Sequence, residues 1–135
     1  MADLTQTPVN VRLQSNTQIL RVTAGESVSA GMPAYRLASD GEYYKSGATT
    51  AVLADCDGVF LMPAGNGEET LIAVSGDVNL GATLAVGTVY VVSNTAGNIM
   101  PTADLSTGEF TTILGVAKST SVLALDINVS GVSVP

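Results

Sequence analysis

Chemistry on a substrate needs reactive side chains in a workable arrangement, and this chain holds few. There is no histidine among its 135 residues, which removes the commonest general base and the commonest metal ligand. The one cysteine, Cys56, stands between Asp55 and Asp57. Two adjacent negative charges disfavour a thiolate, so its pKa is expected to rise, and no histidine is present to activate it. A small residue at the start of a strand is the plainer reading. Asp55 and Asp57, followed by Gly58, could offer carboxylates to calcium, but the further ligands and closing glutamate of an EF-hand loop are missing. Glu68 and Glu69 are neighbours in a loop with Gly65 and Gly67. Paired carboxylates that hydrolyse glycosides face each other across a cleft, so a solvated loop tip is expected here.

Three further groups need the same weighing. Gly25, Gly31, Gly81 and Gly87 lack the Lys-Ser/Thr flank of a phosphate-binding loop, and turn geometry accounts for them. Lys118 could be the swinging-arm lysine of a duplicated β carrier domain, yet Ala117 and Ser119 are not the acidic or methionine neighbours of a biotin or lipoate lysine. Tyr43 and Tyr44 beside Asp40-Gly41 are the one candidate for a glycan-binding platform. On a strand, adjacent residues point to opposite faces, which would send one of the two inward. No catalytic constellation emerges, so an enzyme, a cofactor, a metal and a small-molecule substrate are not expected.

The elements that carry these residues read as strands and tight turns. Val, Ala, Thr, Ser and Gly dominate, with 46% hydrophobic and 13% charged residues, a mix that favours β-structure over helix. Extended segments are expected at 19–22, 34–38, 42–45, 58–62, 70–74, 88–92, 99–100, 110–116 and 125–130, with a possible short helix from Thr49 or Thr50 to Leu53. Asp40-Gly41 marks a hairpin turn. Residues 1–15 have little apolar density, although Val9, Val11 and Leu13 alternate. They read either as a disordered terminus or as an extended arm that orders against a neighbouring molecule.

Charge and length exclude other classes. The net charge is −7, with five basic residues scattered along the chain, so neither nucleic acid nor an anionic membrane surface is an expected partner. The longest mainly apolar run, Leu84 to Val92, is far shorter than the ~20 residues of a spanning helix. No basic-then-apolar leader opens the chain, and a lone cysteine forms no internal disulfide, so synthesis in a reducing cytoplasm is expected.

Internal repetition organises the whole. Val22, Gly25, Gly31 and Gly41 recur as Val78, Gly81, Gly87 and Gly97, an offset of 56 each time, while Tyr35 and Tyr90 are 55 apart. Val74-Ser75-Gly76 returns as Val129-Ser130-Gly131. Two copies are too few for a solenoid. They imply an all-β domain, a small antiparallel β-barrel or sandwich built from two duplicated β-units. The expected division is an N-terminal extended arm at 1–18 and one β-domain at 19–135, with repeats at about 19–76 and 77–135.

The repeat carries a resemblance. The run from Gly25 to Leu37 with Asp40-Gly41 resembles the opening of tailed-bacteriophage capsid cement (head decoration) proteins. The segments Gly87–Ser93, Gly97–Ile99, Ala103–Leu105, Ile113–Ala117 and Val129–Gly131 are similar to the same family and to other small phage virion proteins. The resemblance implies a structural virion protein on the outer capsid surface, usually a homotrimer, bound between subunits of the major capsid protein and stabilising the shell. Leu4, Pro8, Val9, Val11 and Leu13 of the arm are the expected capsid contacts. The alternative is a receptor- or glycan-binding β-domain of a phage spike or fibre.

Overall fold

The computed structural model describes residues 3–135, so the first two residues of the expected arm lie outside the described residues. The runs of β-branched side chains form ten strands: β1 Val11–Leu13, β2 Gln18–Thr23, β3 Pro33–Arg36, β4 Tyr43–Lys45, β5 Cys56–Phe60, β6 Glu69–Leu80, β7 Val89–Val92, β8 Ile99–Pro101, β9 Phe110–Ala117 and β10 Val122–Ser133. They pair antiparallel in the order β4-β3-β5-β6-β10-β9-β7-β8, with β1 and β2 both added to β6. The sheet curls into a half-barrel, so the fold is all-β. The helix expected near Thr50–Leu53 is a single turn, closed by Ala54 N donating to Thr50 O at 3.0 Å.

β6 is the spine. Its first half pairs with β2 and β5, its second half with β1 and β10. The sequence suggests a strand over 70–74 that hands over to the second repeat. The chain instead runs on through Gly76 at φ +91°, a conformation that costs glycine little. A side chain there would collide with the carbonyl of Asn16, which crosses at that point.

The two halves share one wiring. The first has the order β4-β3-β5-β6-β2, the second β8-β7-β9-β10-β6. Arg36 pairs with Tyr43 as Val92 pairs with Ile99, both members displaced by 56. Val28 N donates to Ala64 O at 2.9 Å, and Leu84 N to Thr120 O at 2.7 Å. The register slips between Ala34 and Tyr35 beside Gly58, and again between Tyr90 and Val91 beside Gly115. Tyr90 thus occupies the place of Ala34, not of Tyr35. A one-residue shift on a strand exchanges faces, so the second half fills with a tyrosine an inward position that the first half fills with alanine.

Small and branched side chains build two cores. The larger contains Val59, Val78, Leu80, Leu84, Tyr90 and Leu114 among others, and the smaller centres on Phe60 and Ile72. The expected arm is not a separate segment. Val11 is buried in the larger core and Leu4 packs against it. Leu4 N donates to Ile99 O at 2.7 Å and Thr7 N to Gly81 O at 2.7 Å. The Gln6 side-chain amide donates to Gly31 O at 2.9 Å and Leu80 O at 3.0 Å. In the first half the matching seam closes directly, with Gly25 N donating to Tyr43 O at 2.8 Å. Residues 3–13 therefore fill in the second half a seam that needs no filling in the first.

Candidate functional site

The groups that could do chemistry are dispersed, and several are held by their own turns or strands. Burial in a strand of the larger core pushes the Cys56 thiol up to about 12, and the nearby charge of Asp57 adds to that. Asp57 itself is raised, first by desolvation and then by Asp55. Glu68 clasps its own loop by accepting from Gly65 N at 2.6 Å, and Glu109 does the same for Ser106 N at 2.7 Å. Lys118 reaches across the sheet to Asp77 at 2.7 Å. Among the described residues no three His, Cys, Asp or Glu side chains gather into a metal-binding group. No described helix is long and apolar enough to cross a membrane.

The two tyrosines do not form a platform. Tyr43 is buried in the smaller core. Tyr44 lies over Gly25, where any side chain would collide with its ring, and its hydroxyl donates to Asp40 Oδ2 at 2.6 Å. That hydrogen bond lifts the Tyr44 hydroxyl to about 12 and, in return, lowers the Asp40 carboxyl. The pair is a clasp on the β3–β4 turn.

What the surface offers is apolar contact. Of the five arm residues expected to touch a shell, Val9 is 72% exposed, Leu13 is 50% exposed and Pro8 is exposed. Val11 is buried in the larger core, because β1 spends it on closing the second seam, and Leu4 is half-buried against that core. Between arm and body lies an open groove of about 570 Å³ lined by Thr5, Thr7, Arg12, Asn79, Thr83 and Ser121, with no carboxylate. Arg12 is fixed there by donating to the carbonyls of Val9 and Val11.

Sequence reasoning missed an exposed apolar strand edge. Ile19 and Leu20 of β2 are 49% and 46% exposed. Two consecutive apolar residues read as a buried strand, and only the strand order shows that β2 sits at an edge. Beside it, Arg21, Met62, Glu69, Thr70 and Leu71 line a shallow recess of about 220 Å³. No protein-family model and no curated protein matches the chain.

Proposed function

We propose that the protein is a capsid cement, or head decoration, protein that docks on the outer surface of a phage shell between major capsid subunits. The observation that carries this reading is the contrast on its surface. Large apolar side chains stand exposed on the arm at Val9 and Leu13, while Tyr44, Asp40, Glu68 and Glu109 are spent on clasping turns. Such a surface suits adhesion, and the resemblance over residues 19–131 names what would be adhered to. Many copies on one lattice would staple it by avidity even where each contact is weak. Binding to the shell would also stabilise the folded chain by mass action. The same resemblance proposes three copies around each shell site.

Co-sedimentation of the purified, folded chain with expanded shells tests this. Saturable binding that falls when Val9 and Leu13 are replaced by aspartate is expected. A folded protein that leaves every shell in the supernatant refutes the reading.

A further inference from the structure

Over Gln18–Arg21, β2 is an uncovered edge. As a strand it pairs only with β6, β4 meets it just past its end where Ala24 bridges Tyr43, and the outward amides and carbonyls of Ile19 and Arg21 meet no backbone partner among the described residues. Which residues face outward follows from alternation. Ala24 N donates to Glu68 O, one step beyond the ladder, so Val22 and Leu20 also turn their backbone groups toward β6. Ile19, Arg21 and Thr23 turn theirs away. Gly25, next in that outward series, donates to Tyr43 O on the other side, which agrees.

Exposed edges are normally blunted by lysines, prolines, bulges or a covering element. Here the exposed run is Gln18, Ile19, Leu20 and Arg21, with only one charge. Ile19 and Leu20 point to opposite faces of the sheet, and each is about half exposed. A partner lying on one face would cover one of them. An added strand would cover both.

We infer that the added strand is β2 of a second copy, paired antiparallel about a twofold axis through Leu20. Outward groups must meet outward groups, so Ile19 pairs with Arg21 of the second copy and Leu20 with Leu20. Centring on Arg21 would set like charges opposite each other, which destabilises a sheet. Centring on Ile19 would leave Leu20 opposite Gln18. The Leu20-centred register joins two leucines on one face and lays the aliphatic stem of each Arg21 along Ile19 on the other. Arg21 is in neither of the ion pairs formed among the described residues. In a chain of net charge −7, β2 carries no acidic residue, so self-contact here meets little repulsion. The inference concerns the free protein and does not rest on the shell reading or on the copy number at a shell site.

Sedimentation of the full chain at high concentration should give twice the 13.7 kDa chain mass, and Leu20→Lys should return it to the single mass with unchanged circular dichroism. Cysteine scanning fixes the register, because Cys56 is buried and silent. Residues directly opposite in a non-hydrogen-bonded pair have Cα atoms about 4.5 Å apart, within disulfide range. Leu20→Cys should therefore oxidise to a covalent dimer, whereas Ile19→Cys and Arg21→Cys, tested singly, should not. A wild-type chain that stays monomeric overturns the inference. So does an oligomer indifferent to Leu20→Lys, or cross-linking strongest at Ile19 or Arg21.

Discussion

Val9 and Val11 are the same residue two positions apart, and the structure assigns them opposite work. Val11 is 5% exposed inside the larger core and Val9 is 72% exposed. Truncating Val11 to alanine removes two buried methyl groups, worth about 0.8 kcal/mol each by transfer. A cavity term adds to this when neighbours cannot close the gap. They are poorly placed to do so, because Val11 Cγ2 packs over Gly31 and Gly81, which have no side chains to move in. The expected loss is about 2–3 kcal/mol, a fall in melting temperature of roughly 10 °C for a domain of this size. Val9→Ala should cost no more than about 0.5 kcal/mol, as for most surface substitutions. Urea unfolding reads both, and the midpoint should move for Val11→Ala without a change in slope. Equal stabilities of the two variants would refute the placement of the arm in the core. Removing residues 1–15 takes Val11 out of the core and Leu4 from against it, so lost shell binding by that variant would report unfolding as much as lost contact.

Two further outcomes follow from the same geometry. A Cβ at Gly58 would lie 2.5 Å from the Ala73 carbonyl oxygen, and one at Gly115 would press still closer on that of Ala124; Gly58→Ala and Gly115→Ala should each cost about 1–3 kcal/mol or more in urea unfolding, since the adjoining strand must move, and a neutral result at either would refute the matched bulges. Tyr44 should titrate near pH 12 by phenolate absorbance, and Asp40→Asn should return it toward 10. Its raised pKa means that the clasp's contribution to stability is complete below pH 10 and is lost as pH climbs toward 12, while the lowered Asp40 pKa means that it is lost again as pH falls below about 3.8; a wild-type Tyr44 that titrates near 10 would remove the clasp.

The β character and the repeat were legible because both rest on local chemistry. Gly31, Gly41, Gly87 and Gly97 recur at fixed spacing and all adopt positive φ, so the turns that set the two halves are written in the glycines. The one-residue slip between Tyr35 and Tyr90 was visible as well, but its cause was not. The two tyrosines are not equivalent positions: matched bulges beside Gly58 and Gly115 keep both halves in one register and set Tyr90 at the place of Ala34, a feature of strand pairing that neither tyrosine shows. Long-range choices stayed hidden for the same reason. Alternation at Val9, Val11 and Leu13 fits a free arm and an edge strand equally, and only the ladder to Val78–Leu80 distinguishes them. Ile19-Leu20 looks like a core strand until β2 is seen at an edge.

The shared spine gives the exposed apolar side chains of the two halves a definite spacing. A duplicated protein could have been two beads on a linker, each docking independently. Here β6 belongs to both halves, and the link between β1 and β2 is pinned to it: Asp77 N donates to Asn16 Oδ1 at 3.2 Å, Thr17 Oγ1 donates to the Asp77 carbonyl, and Gln14 N donates to Thr17 Oγ1 at 2.7 Å. Val9 and Leu13 on one side of that link and Ile19 and Leu20 on the other are therefore held at a fixed separation. A flexible tether dilutes its binding group over the volume it explores, whereas a rigid one meets a matching pair of contacts without that entropic cost. The positive φ at Gly76 lets one strand serve both halves, and through it the exposed side chains keep the fixed spacing that the proposed docking would use.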